Sequence, residues 1–558
     1  MKTDRHTAGH VLLGMTRRAG WYLRDPWCLG LMALALMFSA PLWVVLGGVA
    51  ADSTQVWDHI WQTVLGAYVS NTAALMVLVA VGSGIIGSVT AWLVSMYRFY
   101  GRRVMDVLLV LPLSMPAYVT CYVYVDLFDP LGSVYQAWQT LPLPSVSPLA
   151  AVALLMTFAM YPYVYLAVRV SLLIQSPHVV EVSRTLGCGP WQSFWRAGLP
   201  VLRPAIAGGM ALVMMEAVGD LGAVTFLGLP TVTVGIFRTW LGMGSLVGAL
   251  KLSAVGLVMI LAVVITERVL RGGARYTAMG ALEDRRLPPN MTGVRGLVML
   301  GVCFLPVLGG FLIPLGVLID LARQAPPLPT FWQDTTHSLI LGSMTAVLAV
   351  TIALVMAFGM RLRRHDRVLA STLRLAISGY AVPGAIIAAG AMVLAGGLMT
   401  SPLAHLLAAV GIPSLVGSLG LLVYAYLVRF LSVSYNIVEA ALTKVSGDLD
   451  GAVRTLGRTT MDALWHVHTP LLRRSLIASG LLVFVDVVKE LPTTLILRPF
   501  NFDTLAVRVY QYAGDERLIP ASHSALMMVA LCLLPVSILV TVMAETSRLV
   551  DPRGPQNP

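Results

Sequence analysis

Stretches of about twenty mostly apolar residues recur along the whole of this 558-residue chain. That is the length a helix needs to cross about 30 Å of hydrocarbon, because each residue advances it by about 1.5 Å. Such a chain has few other options. A backbone in lipid must satisfy its own N–H and C=O groups, and a helix does so within one segment. Hydrophobic residues make up 57% of the chain and charged residues only 12%, about half the charge of a soluble globular protein. The net charge of +11 would suggest a nucleic-acid partner for a soluble protein. Here the basic residues sit in short connections between apolar runs, so the charge reports topology and no nucleic-acid partner is expected.

The runs give about twelve spans, near 28–50, 66–97, 104–128, 147–174, 203–229 and 245–268 in the first half. In the second half they lie near 295–319, 337–360, 367–399, 415–439, 474–498 and 522–546. The runs 66–97 and 367–399 are long enough to include an interfacial helix or strong tilt. Arg5, Arg17, Arg18 and Arg24 precede the first run, and further Arg or Lys residues cluster at 98–103, 184–203, 268–295, 361–367, 444–474 and 548–553. The connections 129–148 and 400–414 carry none. Both termini and every basic connection are therefore expected in the cytoplasm. The first run begins near Trp27 without a small-residue cleavage site and reads as a retained helix. The five cysteines are scattered and read as small apolar fillers.

The two halves repeat. At a constant shift of 270, Arg184–Gly187 (RTLG) falls on Arg454–Gly457 (RTLG), Trp195 on Trp465, Pro200 on Pro470, Leu221 on Leu491 and Arg238 on Arg508. No gap is needed over about 55 residues. Earlier in each half a shift of 267 puts Pro116 on Pro383. Lipid-facing segments converge on similar Leu and Val content, but polar loops have no such pressure. The polar stretch 269–294 is the natural boundary, giving one repeat over 1–280 and another over 281–558.

The repeated loops read EVSRTLGCGPWQSFWRAGLPVLRPAI and GAVRTLGRTTMDALWHVHTPLLRRSLI. They resemble the EAA loop of permease subunits of binding-protein-dependent ABC importers, and the resemblance covers nearly the whole chain. It implies an all-α membrane protein of two six-helix type I repeats about a pseudo-twofold axis, with EAA loops at 181–206 and 451–476. It implies short cytoplasmic helices that dock on a separate ATPase, with Glu181, Arg184, Gly187 and Pro200 in the first loop and Asp450, Arg454, Gly457 and Pro470 in the second. Gly451 stands where the second Glu belongs, with Asp450 one residue earlier, and Thr469 replaces Leu. The second contact is thus expected to be weaker or differently paired. Physically, Gly187 and Gly457 suit left-handed backbone angles between two short helices. The further implications are two ATPase copies, which hold the ATP and Mg, a periplasmic substrate-binding protein, and one fused chain per complex in a bacterial inner membrane.

An acidic pair follows each loop inside an apolar run: Glu216 with Asp220, and Asp486 with Glu490. Spacing of four puts both carboxylates of a pair on one helix face. Charge inside a bilayer is costly, so such groups face a cavity or a partner. One reading is an acidic translocation path for a cation. The other is structural pairing, with Arg238, Arg508 or Lys489 as counter-ions. Tyr118, Tyr122, Tyr124, Tyr161, Tyr163 and Tyr165 read as interfacial anchors or as phenol and cation–π donors, and His466 and His468 as surface of the ATPase dock. The segments DLGAVTFLGLPTVTVGIFRTWLG and DVVKELPTTLILRPFNFDTLAVRVYQYA resemble fused ferric-iron permeases, and a hard Fe³⁺ suits oxygen ligands. Sister families carry thiamine, polyamines, sulfate or phosphonates, and thiamine is the nearest alternative.

The chain has no motor of its own. A phosphate-binding loop needs Gly-Lys before Ser or Thr, and all four lysines follow other residues. There is no nucleophile–base constellation or cofactor loop, so neither an enzyme nor a resident cofactor or metal is expected. A secondary transporter also shows repeats and broken helices but leaves the paired RTLG loops unexplained.

Overall fold

A computed structural model describes residues 25–52, 55–128, 147–174, 183, 185–271, 290–363, 366–409, 411 and 414–549. It is 83% helix without strands among the described residues. Besides the short helices Gln55–Thr63 and Pro190–Ser193, the first half holds α1 (Pro26–Gly48), α2 (Leu65–Met96), α3 (Arg102–Leu108), α4 (Ala117–Leu127), α5 (Pro148–Ile174), α6 (Leu199–Gly219), α7 (Gly222–Phe226), α8 (Val232–Phe237) and α9 (Leu246–Arg271). The second half holds α10 (Gly293–Val307), α11 (Ile313–Arg323), α12 (Phe331–Leu362), α13 (Arg367–Ala376), α14 (Gly384–Met399), α15 (Leu419–Leu442), α16 (Asp448–Thr455), α17 (Thr469–Lys489), α18 (Pro492–Leu497), α19 (Leu505–Gly514) and α20 (Leu518–Leu549).

Nine of the described helices are long and apolar enough to cross a membrane, and two bent pairs raise the number to eleven. The twelfth expected span is α17, whose Arg473, Arg474, Asp486 and Lys489 leave it too polar to pass the same test. The bent pairs are Arg102–Ser114 with Ala117–Leu127, at 90°, and Arg367–Ala381 with Gly384–Met399, at 120°. Pro116 and Pro383 stand at the two bends, because proline cannot donate a helical bond and pushes the preceding residue out of the α region. The long 66–97 run is one helix, α2.

Two expected spans are corrected. The runs 203–229 and 474–498 are not continuous helices: α6 stops at Gly219 and α17 at Lys489. Each is followed by a short helix whose free N–H groups an acidic side chain satisfies. The ungapped repeat is also corrected. α6 and α17 start at Leu199 and Thr469 and keep the shift of 270. Thr231 and Thr504 then cap α8 and α19, three residues out of that register. The N–H of Val232 donates to Thr72 Oγ1 at 3.0 Å, and that of Leu505 donates to Ser338 Oγ at 2.9 Å. These matching bonds establish the new register. The second repeat has gained three residues between α18 and α19, so Arg508 is not the structural counterpart of Arg238.

Two compact units cut across the halves. One gathers residues up to Val44 with Ser343–Tyr380 and Gly390–Phe484. In it α1 meets second-half elements: Tyr424 donates to the Met37 carbonyl at 2.5 Å, Trp27 meets Phe358 edge-on at 5.9 Å, and Arg363 pairs with Asp25. The other gathers Val45–Gly342, Ala381–Ala389 and Val485–Pro558. Its core includes Met76 of α2, Ala211 and Val218 of α6, and Ile260 and Val263 of α9. The tyrosines of α4 and α5 are mostly core residues of this unit, not interfacial anchors. Tyr118, Tyr122, Tyr124, Tyr161 and Tyr165 are buried, Tyr124 donating to the Gly309 carbonyl at 2.7 Å and Tyr165 to Asp106 at 2.5 Å.

Candidate functional site

The two RTLG loops have the same local build. Gly187 and Gly457 take left-handed angles, φ 85° and 70°, Gly457 in the turn after α16. Beyond the first lie Pro190–Ser193 and a wide-turn segment, Phe194–Gly198, that runs into α6. Beyond the second, Thr459 opens a helical turn through a reciprocal capping box with Asp462, and Ala463–His468 runs into α17. Glu181 and Arg184 lie outside the described residues, as does the side chain of Arg454. Pro200 and Pro470 are exposed and stand two residues past the wide-turn segments, at the second residue of α6 and α17.

Sequence reading missed what these loops present. Leu186 and Leu456 are 78% and 79% exposed, and Trp195 and Trp465 are 50% and 47% exposed. Large apolar side chains left uncovered by the rest of the chain at matched positions are a contact signature. The signal was available, since all four fall in the repeated pattern.

The second loop is pinned from below. Asp450 takes the Arg361 Nε at 2.8 Å and the His468 Nε2 at 2.7 Å. Arg361 also donates to the carbonyls of Leu442, Val445 and Ser446 at 2.6, 3.0 and 2.9 Å. Burial alone would raise the Asp450 pKa, but the bonds from Arg361 and His468 hold it below the ordinary carboxylate value. His468 is fully buried, so it is not dock surface, whereas His466 is exposed and 3.8 Å from Asp462. The first repeat fills this space differently. Gly198 stands where His468 does, and the Trp92 ring would lie 2.6 Å from any Cβ placed there. In the second repeat the smaller Phe358 ring leaves room for the imidazole, 5.1 Å away.

The acids sit at the helix breaks. Asp220, in extended conformation after α6, accepts from the Ala223 N–H at 2.8 Å. Glu490 is buried and accepts from the N–H groups of Thr493 and Thr494 at 3.0 and 3.2 Å and from the Thr493 hydroxyl at 2.7 Å. Each carboxylate thus replaces water as partner for N–H groups the break leaves unpaired. Glu216 lies half-buried one turn earlier on α6. Asp486 is 3.7 Å from Lys489, which also donates to the Leu113 carbonyl at 3.2 Å. Of the proposed counter-ions, Lys489 meets Asp486, while Arg508 is bound to Asp334 and Asp503. The two breaks meet: a Cβ on Gly222 would lie 2.5 Å from Tyr118 and 3.2 Å from Leu491. Among the described residues no group of three or more His, Cys, Asp or Glu is placed to hold a metal ion.

Residues 80–271 match the family described as binding-protein-dependent transport system inner membrane component. The chain is 25% identical over 509 residues to the Fe(3+)-transport system permease protein FbpB 2 of Haemophilus influenzae, covering 89% of this chain and 94% of that one. It is 30% identical over 199 residues to the sulfate transport system permease protein CysT of Escherichia coli, covering 35% and 72%. The CysT protein of Salmonella typhimurium is 29% identical over 199 residues, covering 36% and 68%. With helices fit to cross a membrane, matched loops and these relatives, the chain belongs to the inner membrane components of binding-protein-dependent transport systems.

Proposed function

We propose that this chain is the fused two-repeat permease of an ABC importer that carries ferric iron across a bacterial inner membrane. Both termini and the RTLG loops lie in the cytoplasm. A periplasmic binding protein delivers the cargo, and two copies of a separate ATPase dock on the loops through Gly187, Leu186 and Trp195 and through Gly457, Leu456 and Trp465. Glu181, Arg184, Asp450 and Arg454 shape those docks. The observation that carries the iron reading is the extent of likeness: the ferric-iron relative aligns with both repeats, over 89% of the chain.

Sulfate is the second reading, favoured by the higher identity to CysT over 35% of the chain. The site argues against it. The carboxylates of Asp220 and Glu490 take up N–H groups at the starts of α7 and α18, which are then not left for an anion. With Glu216 and Asp486 they form an acidic route that favours a cation. The test is reconstitution of chain, ATPase and binding protein in proteoliposomes. Iron-loaded binding protein should stimulate ATP hydrolysis and ⁵⁵Fe uptake. Stimulation by sulfate-loaded binding protein alone would overturn the iron reading, and stimulation by thiamine would do the same.

A further inference from the structure

Lys489 has no equivalent in the first repeat. At the shift of 270 that α6 and α17 keep, Glu216 falls on Asp486 and Asp220 on Glu490, but Gly219 falls on Lys489. Lys489 is the one basic residue in the stretches 204–237 and 475–497, which hold the four acids. As the last residue of α17 it stands at the second break, directly before the Glu490 that caps α18. Its ammonium lies 3.7 Å from Asp486 and donates to the Leu113 carbonyl at 3.2 Å. Leu113 belongs to the short turn Leu111–Ser114, just ahead of the bend at Pro116. The lysine therefore ties the break of the second repeat to the bend of the first. Tyr118, just past that bend, and Leu491, just past Lys489, both pack on Gly222 at the first break, so the tie lies where the bend and both breaks come together.

Pairing with Asp486 does not by itself account for this lysine. An ammonium in direct contact with a carboxylate sits at about 2.7–2.9 Å. This one is farther out, with the Leu113 carbonyl as its nearer partner. The first repeat holds Glu216 half-buried with a glycine where the lysine would be, so an acid at that place does not require it. What requires a cation is the whole set. Four carboxylates in apolar surroundings draw in any small cation, and the membrane potential pulls cations inward. A fixed positive charge in such a path turns them back. We propose that Lys489 is the specificity-determining residue of the acidic route, a tethered cation that takes the cargo's place while the breaks are packed together and excludes other small cations. The inference rests on the acidic-route reading. Parting the breaks carries the end of α17 away from Leu113, releases the tie and leaves Asp486 to the cargo. Lysine suits this task because its compact charge rides on a flexible four-carbon stem and swings aside without any unwinding of α17.

The test uses the complex in calcein-loaded proteoliposomes under an inside-negative potential. Mn²⁺ alone is the probe, with neither binding protein nor ATP. The parent should admit Mn²⁺ no faster than protein-free vesicles. Lys489→Met should raise entry about tenfold or more, and Lys489→Arg, which keeps the charge, should stay near the parent. Adding Asp220→Asn and Glu490→Gln to Lys489→Met should close the leak. Lys489→Met with Asp486→Asn removes both members of the ion pair. A purely structural lysine then predicts tight vesicles and a parental melting temperature, whereas a tethered cation predicts a leak that persists at that melting temperature. No added entry with Lys489→Met, alone and with Asp486→Asn, overturns the proposal. So does a leak that survives loss of the Asp220 and Glu490 carboxylates. Uptake of ⁵⁵Fe by the Asp220→Asn, Glu490→Gln chain tests the route by itself. Background uptake there beside a tight Lys489→Met chain retires the lysine and keeps the route, and normal uptake retires both.

Discussion

At the scale of single residues, the RTLG glycines are readable from sequence because a left-handed turn is a local demand. Nothing lies within 4 Å of a Cβ built on Gly187 or Gly457, so a substitution there meets strain and not a clash. Gly457→Val should cost about 1–2 kcal/mol of loop geometry and lower ATPase pull-down and transport, whereas Gly457→Asn should keep most of both. Equal loss in the two variants would remove the backbone argument. Asp450 was legible only as a displaced acid, because its partner Arg361 is 89 residues away and no local pattern announces a contact of that kind. Its carboxylate binds a proton more weakly in the folded loop than in the unfolded chain. The resulting stability is present above the ordinary carboxylate pKa of about 4 and is lost as pH falls through the lower folded value. Protection from hydrogen exchange across 448–468, taken relative to the intrinsic rate at each pH, should therefore fall as the pH drops below about 5. Asp450→Asn should exchange faster already at pH 7 and change less over that acid range. An unaltered pH profile in the variant would show that the pairing does not hold the loop.

At the scale of elements, most long helices were legible from their apolar runs, and the breaks in α6–α7 and α17–α18 were not. Hydropathy continues across Asp220 and Glu490, so only the acids themselves hint that the chain turns there. The three-residue gain was hidden for a related reason: Arg238 and Arg508 coincide at the constant shift although their helices do not. The breaks make a sharper test of the acidic route possible. Asn is as good a helix cap as Asp, so Asp220→Asn keeps the bond from Ala223 and removes only charge. Asp220→Ala removes both, at about 1 kcal/mol. Asp220→Asn with Glu490→Gln should bring ⁵⁵Fe uptake to background, with thermal stability and ATPase pull-down close to the parent. Normal uptake would take these acids out of the route. Loss of uptake matched by loss of stability would assign them to capping alone.

At the scale of the whole molecule, the repeat boundary read from sequence and the packing units follow different rules. Sequence similarity records which segments share an origin, while packing records which surfaces fit. Helix association in lipid gains little from burying apolar surface, since the surroundings are equally apolar, and depends on close approach at small residues. α1 shows this: a Cβ on Gly390 of α14 would lie 2.3 Å from the Pro41 carbonyl, so the first helix of the chain touches a second-half helix at its backbone. No pattern within either segment could reveal that, because the complementary surfaces are more than 300 residues apart. The contact predicts that the covalent link near 272–289 is dispensable. Residues 1–280 and 281–558, co-expressed as separate chains, should co-purify from mild detergent. Gly390→Val should weaken that association and lower the melting temperature of the intact chain, because the carbonyl is backbone and cannot swing aside. A Gly-to-Val change at Gly396, where nothing lies within 4 Å, serves as the control for β-branching in the same helix. Halves that separate freely without any substitution, or Gly390 and Gly396 variants that behave alike, would show that α1 is not held by this contact.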